Sequence, residues 1–169
     1  EAFCMLNDQA IGAKYLQNKG LVKKVLIVDL DVHQGNGTAE IFKNDDSVFT
    51  FSMHGKSNYP FVKEQSDLDI ALENETKDDE YLTILKETLP KLINQEKPDF
   101  IYYLCGVDVL ETDKLGKLSL TIEGCAARDR FVLQSCFDQK IPVMCSMGGG
   151  YSKDVNIVVE AHANTFRLA

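Results

Sequence analysis

Blocks of apolar residues recur along the chain between amphipathic segments, and this pattern predicts strands that alternate with helices. The continuous apolar run at 25–30 is typical of a strand covered on both faces, and three further strands are predicted at 47–53, 100–106 and 141–147. Helical spacing of apolar residues is found at about 6–18, 38–42, 78–96 and 122–137, and a last helix is expected after Ser152 as its cap. Such alternation predicts a mainly parallel sheet in a three-layer α/β/α fold.

Two segments interrupt this regular pattern. From 55 to 77 the chain is polar and has no clear period, so a long loop is predicted there. In the helix at 78–96, Pro90 interrupts the apolar stripe, and we expect a kink or a break at that position. The stripe consists of Tyr81, Leu82, Leu85, Leu89, Leu92 and Ile93.

Acidic residues and a histidine follow two of the predicted strands. The first strand runs into Asp29, Asp31 and His33, which project to one side if the chain stays extended, and the third runs into Asp108. A cap, an acid pair or a packed core histidine would explain any one of them alone. As a set at neighbouring strand ends, two carboxylates and an imidazole favour a divalent metal with open positions.

Glycines mark two further strand ends. The fourth strand runs into Gly148–Gly150 and then Tyr151, so that the backbone can approach a bound group closely and a tyrosine stands at the rim. The segment 34–38, QGNGT, follows the first strand but lacks the third glycine of a dinucleotide fingerprint and the GK[ST] of a P-loop. Phosphate binding is therefore not predicted there.

Composition and charge narrow the class of protein. A net charge of -8 disfavours direct binding of nucleic acid. No stretch reaches the roughly 20 apolar residues of a membrane span. The five cysteines form no CxxC pair, which fits a reduced, cytoplasmic setting, and three of them lie in apolar segments. The oligomeric state is left open by the sequence.

Four stretches, in collinear order, resemble the histone deacetylase and acetylpolyamine amidohydrolase family, which has the arginase-like fold. They are AFCMLNDQAIGA (2–13), VLIVDLDVHQGNGTAEIF (25–42), GVDVLETDKLGKLSLT (106–121) and MGGGY (147–151). The GNG form, SNYPF at 57–61 and AHANTFRLA near the end are most similar to the class IV and related bacterial branch. The resemblance implies a single deacetylase-type domain over 1–169.

The resemblance also implies roles for particular residues. Asp31, His33 and Asp108 match metal ligands, for Zn²⁺ or for Fe²⁺, which such ligands also accept. Tyr151 matches the tyrosine that donates a hydrogen bond to the substrate carbonyl and to the oxyanion formed from it. The implied reaction is hydrolysis of acyl groups from lysine side chains or from acylated polyamines.

Residues around this set have implied supporting roles. Asp29 matches an acid that orients a catalytic histidine, and with Ser52 it matches part of a structural K⁺ site. Asn36 stands where another branch has a second orienting aspartate. Substrate contacts are implied for Phe3, Gly149 and Gly150, and the opposite wall of the acyl tunnel for the loop at 55–61.

The general base of the family, a His-His pair, has no match in these 169 residues. His54 is expected in a surface or structural position in a loop, and His162 in a packing or capping position on the last helix. The sequence is therefore interpreted as the C-terminal portion of a larger catalytic domain. Two alternatives are a non-catalytic metal-binding or interaction remnant, and a phosphate-accepting receiver-type domain, which leaves His33 and the glycine-tyrosine segment unexplained.

Overall fold

A computed structural model describes residues 3–169, in which helices and strands follow one another along the chain. The strands are β1 (Val25–Asp29), β2 (Val48–Gly55), β3 (Leu68–Leu72), β4 (Phe100–Leu104) and β5 (Val143–Ser146). The helices are α1 (Asp8–Asn18), α2 (Asn36–Phe42), α3 (Asp78–Glu96), α4 (Ile122–Gln139) and α5 (Val155–Leu168).

All five strands of the described chain run parallel, in the order β3-β2-β1-β4-β5. Alternate residues of β1 face opposite layers of helices, as a strand covered on both faces requires. Leu26 and Val28 pack with α3, α4 and α5, whereas Val25 and Ile27 pack with α1 and α2. The predicted three-layer α/β/α fold with a parallel sheet is confirmed.

The strand order places a topological switch point between β1 and β4. From β1 the chain adds β2 and β3 on one side, and then crosses to add β4 and β5 on the other. Connections leave the sheet in opposite directions at such a point, which opens a crevice at the carboxyl ends of the two strands. Both predicted metal-binding segments follow these two strands.

The long loop predicted at 55–77 is partly wrong, because it contains the edge strand β3. Its apolar residues are Leu68, Ile70, Ala71 and Leu72, of which Leu72 alone is fully buried. The strand has only five residues and lies between the polar segments 63–67 and 73–77, so the composition of the whole stretch concealed it.

The break predicted at Pro90 is not found, since α3 continues through that residue to Glu96. Pro90 lies on the exposed side of the helix, where water can hydrate the carbonyl that a proline leaves without a donor. The buried residues of the stripe are Tyr81, Leu85, Leu89, Leu92 and Ile93.

The cap predicted for the last helix is also wrong. Asp154 caps α5, with its side chain accepting a hydrogen bond from the backbone N–H of Asn156. Ser152 instead lies before the cap, and its hydroxyl is 2.7 Å from the hydroxyl of Thr112. Within residues 3–169, no helix has both the length and the apolar character needed to cross a membrane.

Candidate metal centre

The three predicted ligands lie together in the crevice at the switch point. Nδ1 of His33 is 3.0 Å from Oδ1 of Asp31 and 3.1 Å from Oδ2 of Asp108. Potential ligand atoms of the three residues all lie within 4.8 Å of one another. Asp31 and Asp108 are buried, while His33 is half-buried, so one side of the cluster is open to solvent.

The backbone after β1 turns sharply to bring Asp31 and His33 together. The strand ends at Asp29, whose carboxylate accepts a hydrogen bond from the backbone N–H of Asp31 at 3.1 Å. Asp31 in turn accepts one from the N–H of His33 at 2.9 Å. The extended alternation expected beyond Asp29 is therefore wrong, and two successive side-chain-to-backbone turns set the geometry.

The second acid reaches the cluster from β4. Asp108 is fully buried (0% exposed), and its Oδ1 accepts a hydrogen bond from the backbone N–H of Val32 at 3.0 Å. The N–H of Gly149, which follows β5, donates to Oδ2 of Asp31 at 2.9 Å. The segments that follow three strands thus hold the two carboxylates in fixed positions.

Burial disfavours the charged forms of all three side chains in the cluster, and their mutual contacts shift their pKa values in different directions. Burial and the nearby Asp31 raise the pKa of Asp108 to about 7. Burial disfavours the charged form of His33, but hydrogen bonds to Asp108 and Asp31 outweigh it and raise its pKa to about 10. Burial likewise opposes ionisation of Asp31, yet hydrogen bonds from His33 and Gly149 lower its pKa.

This donor set fits a divalent cation. Buried carboxylates are costly unless a cation or hydrogen bonds compensate them, and two of them converge here on one imidazole. Two oxygen ligands and one nitrogen ligand suit first-row divalent metals such as zinc. An imidazole binds a metal only when it is neutral, so a metal would displace a proton from His33.

Two glycines allow the carboxylates to sit where they do. A Cβ at Gly106 would collide with Oδ2 of Asp31, and a Cβ at Gly149 would lie 2.6 Å from Cγ of Asp108. Both positions therefore exclude a side chain by close approach. At Gly150 a Cβ would lie 2.7 Å from Cγ2 of Val107, so a side chain there would collide with the core.

Tyr151 lies beside the cluster. Its ring centroid is 6.5 Å from that of His33 and 5.7 Å from that of Phe3, which is 78% exposed. Its backbone N–H donates to Oδ2 of Asp113 at 2.6 Å. Burial, followed by the charges of Asp108 and other acids, raises the pKa of Tyr151 to about 12, so its hydroxyl keeps its proton at neutral pH.

Asp29 and Ser52 both line a small cavity of about 10 Å³. The cavity has the volume of a single water molecule or small ion. Burial, with the charge of Asp31 next, raises the pKa of Asp29 well above its usual value. Asn36 is the first residue of α2, the helix that packs against β2 beside this cavity.

The other two histidines lie outside the cluster. His54 belongs to β2 rather than to a loop, and it is only 1% exposed, so the surface position expected for it is wrong. Its Nδ1 is 3.0 Å from the hydroxyl of Ser52. His162 lies on α5, as predicted, and its Nε2 would be 3.6 Å from a Cβ placed at Gly150.

Several supporting residues were not predicted. Asp113 accepts a hydrogen bond from the backbone N–H of Tyr151, and Gly106 leaves room for the carboxylate of Asp31 because it has no side chain. Arg128 is buried in α4 beneath the cluster and binds backbone carbonyls of both strand ends. The signal for Arg128 in the sequence is weak, since it belongs to a charged run, Arg128-Asp129-Arg130, between the apolar segments 125–127 and 131–133.

Comparison with known proteins identifies the class of protein that this fold and site define. The histone deacetylase domain family matches residues 1–166, and the chain belongs to that family. It is 48% identical over 167 residues to an uncharacterized protein of Picosynechococcus sp., covering 99% of this chain and 56% of that protein. It is 34% identical to a probable deacetylase of Archaeoglobus fulgidus, covering 89% of this chain and 45% of that protein.

Solved structures agree with this assignment. The HDA15 HD domain superposes with a TM-score of 0.82 at 26% identity, covering 99% of this chain and 51% of that one. An acetylpolyamine aminohydrolase from Burkholderia pseudomallei shares the fold, with a TM-score of 0.80 at 23% identity, covering 98% of this chain and 49% of that one. The chain thus spans about half the length of the relatives it matches.

Proposed function

We propose that this chain forms the metal-binding part of a zinc-dependent deacylase that hydrolyses the amide of an acylated amine. The observation that carries the proposal is the cluster of Asp31, His33 and Asp108, with ligand atoms within 4.8 Å of one another and one side open to solvent. A catalytic metal site keeps an open position for water and substrate in this way. Membership in the histone deacetylase domain family supports amide hydrolysis as the reaction.

Held by these three residues, a divalent ion would supply a Lewis acid for the amide carbonyl and for the attacking water. The chain's own contribution beside it is Tyr151. Because its hydroxyl stays protonated, Tyr151 donates a hydrogen bond to the carbonyl oxygen as negative charge develops there. A preorganised donor of this kind contributes about 3 kcal/mol to transition-state stabilisation.

The exposed aromatic ring beside Tyr151 favours an extended, apolar acyl-amine stem as the ligand. Phe3 packs on Tyr151 and leaves most of its surface free to contact a substrate. Tyr59 and Phe61, which stack edge to face in the 55–61 loop, form a second exposed aromatic pair suited to an opposite wall. Acyl-lysine is the substrate class we favour, with acylated polyamines as the second.

The decisive experiment uses the natural full-length protein and measures release of acetate. Acetyl-lysine peptides and acetylated polyamines are offered to the zinc-loaded protein, to the protein after chelation, and to Tyr151→Phe. We expect turnover that requires the metal, and a loss of about 10²–10³-fold in kcat for Tyr151→Phe with unchanged zinc content. Hydrolysis that survives removal of the metal would contradict the proposal.

A non-catalytic, metal-binding relative of the same fold is the alternative that this experiment separates. Among residues 3–169, His33 is the one histidine in the ligand cluster, and His54 is buried against Ser52. If the full-length protein binds zinc tightly and hydrolyses no acyl-amine, the binding role stands and the catalytic role fails.

A further inference from the structure

A buried guanidinium lies between the two strand ends that carry the metal cluster. Arg128 on α4 is 0% exposed, and its Nη1 donates hydrogen bonds to the backbone carbonyls of Leu30 at 3.2 Å and Gly106 at 2.7 Å. Leu30 directly precedes Asp31, and Gly106 lies two residues before Asp108. One side chain therefore connects the backbone segments from which both acids project.

The strands need such a connection because their own pairing stops here. The register of β1 with β4 ends at Asp29 and Leu104, and the last backbone hydrogen bond runs from Leu30 N to Leu104 O at 3.1 Å. Beyond it the side chain of Asp31 lies directly against Gly106. Buried carbonyls at this position need donors from elsewhere, and Arg128 supplies them.

The guanidinium is itself held by Asp129 of the same helix, which in turn is bound by residues of β4 and α5. Its Nε donates to Oδ1 of Asp129 at 2.9 Å, and Nη2 lies 2.8 Å from the same oxygen. Asp129 also accepts hydrogen bonds from the hydroxyl of Tyr103 on β4 at 2.5 Å and of Thr165 on α5 at 2.6 Å. A planar, rigid fork anchored in this way can fix a distance between two backbones.

Stability alone does not account for this arrangement. Replacing a buried ion pair by apolar residues of similar size is often neutral or stabilising, because both charges have to be desolvated. Metal ligands, in contrast, have to be placed within a few tenths of an ångström. A side chain that holds two ligand-bearing strand ends at a set separation would give metal ligands this precise placement.

We propose that Arg128 is a positioning residue of the metal site, which sets the separation of Asp31 and Asp108 through the carbonyls of Leu30 and Gly106. The proposal rests on the proposed function insofar as it assumes that the cluster binds a metal. Arg128 touches neither carboxylate in any hydrogen bond of the described chain, so its effect on the metal passes through the backbone.

The test measures zinc affinity by competition with a chromophoric chelator. Arg128→Lys keeps a positive charge beside Asp129 but cannot serve that acid and both carbonyls with one planar fork. Arg128→Met combined with Asp129→Asn removes both charges together. The matched control is Val132→Ala, which removes buried volume from the same helix without removing a donor.

We expect both Arg128 variants to bind zinc about 10–100-fold more weakly, as loss of supporting partners of metal ligands does elsewhere. Val132→Ala should lower the midpoint of urea unfolding and leave zinc affinity unchanged. Circular dichroism is used first to check that each variant folds. If the double variant does not fold, the zinc affinity of Arg128→Lys alone tests the proposal.

The outcomes separate this proposal from the proposed function. If the parent chain binds no zinc, the metal site itself fails. If the parent binds zinc and the folded Arg128 variants bind it equally well, the positioning role alone is refuted. A loss of affinity in Val132→Ala that matches the loss in Arg128→Lys would also overturn it, because the effect would then follow stability.

Discussion

Adding a single methyl group at Gly149 should weaken metal binding although no ligand residue is substituted. A Cβ built there would lie 2.6 Å from Cγ of Asp108 and closer still to Oδ2. Asp108 has little freedom to yield, since it is fully buried and binds Val32 N and the His33 ring. Either the carboxylate or the 147–151 segment must therefore shift, by a displacement on the order of 1 Å, as overpacked positions in protein cores do.

The magnitude follows from two general observations. Overpacking a well-packed position costs about 1–3 kcal/mol. Metal ligands tolerate displacements of only about 0.2 Å. If the cost falls on the metal-bound arrangement, zinc affinity drops by about 5–150-fold, since each 1.4 kcal/mol is about a factor of ten.

The assay is chelator competition on Gly149→Ala, with Gly37→Ala as the matched control. A Cβ at Gly37 meets nothing within 4 Å, and the residue lies in α2, where alanine is the better helix former. Gly37→Ala should leave zinc affinity unchanged and raise stability slightly. A folded Gly149→Ala chain that binds zinc as tightly as its parent would refute the reasoning, because the carboxylate would then not be confined.

Three more predictions can be checked on the same protein. Asp31→Ala and Asp108→Ala should each abolish stoichiometric zinc by elemental analysis, whereas Ala at the exposed Asp46 should not; unchanged zinc in either ligand variant would disprove the assignment. The 169-residue chain by itself is expected to bind zinc yet release acetate slowly, because it has no match to the family's His-His general base. A positioned general base contributes about 10²–10⁴-fold to the rate, so fast metal-dependent turnover would contradict this prediction. Asp154→Ala should lower the free energy of unfolding by about 1 kcal/mol in urea titrations and Ser152→Ala by less, and the reverse order would show that the cap is misassigned.

The sequence was sufficient for the layer architecture and for the three residues that the structure brings together as the candidate metal cluster. Apolar runs followed at once by polar residues locate β1 and β4, and the acids that follow them are Asp31 and Asp108. Parallel strands present their carboxyl ends at one edge of a sheet, so the strand pattern alone leads one to expect these acids to meet. The family likeness that the motifs indicate is the one that the comparisons support.

Three of the wrong predictions share a physical cause. The strand β3, the unbroken helix at Pro90 and the burial of His54 all depend on which side of an element faces solvent. A short strand at the edge of the sheet can remain half exposed, and a proline on an exposed helix face leaves its free carbonyl to water. Exposure is a property of the assembled layers, so local sequence patterns do not specify it.

The chemistry at the ends of β1 and β4 was thus determined by the sequence, because residue type and position after a strand are both local. Only the tertiary structure decided what holds that chemistry in place. Arg128 lies 98 residues from Leu30 and 22 from Gly106 along the chain, yet it binds both carbonyls. These hydrogen bonds form only when α4 packs against the sheet. A buried hydrogen bond is stable only if its partner is present, and a partner distant in sequence cannot be recognised from local patterns.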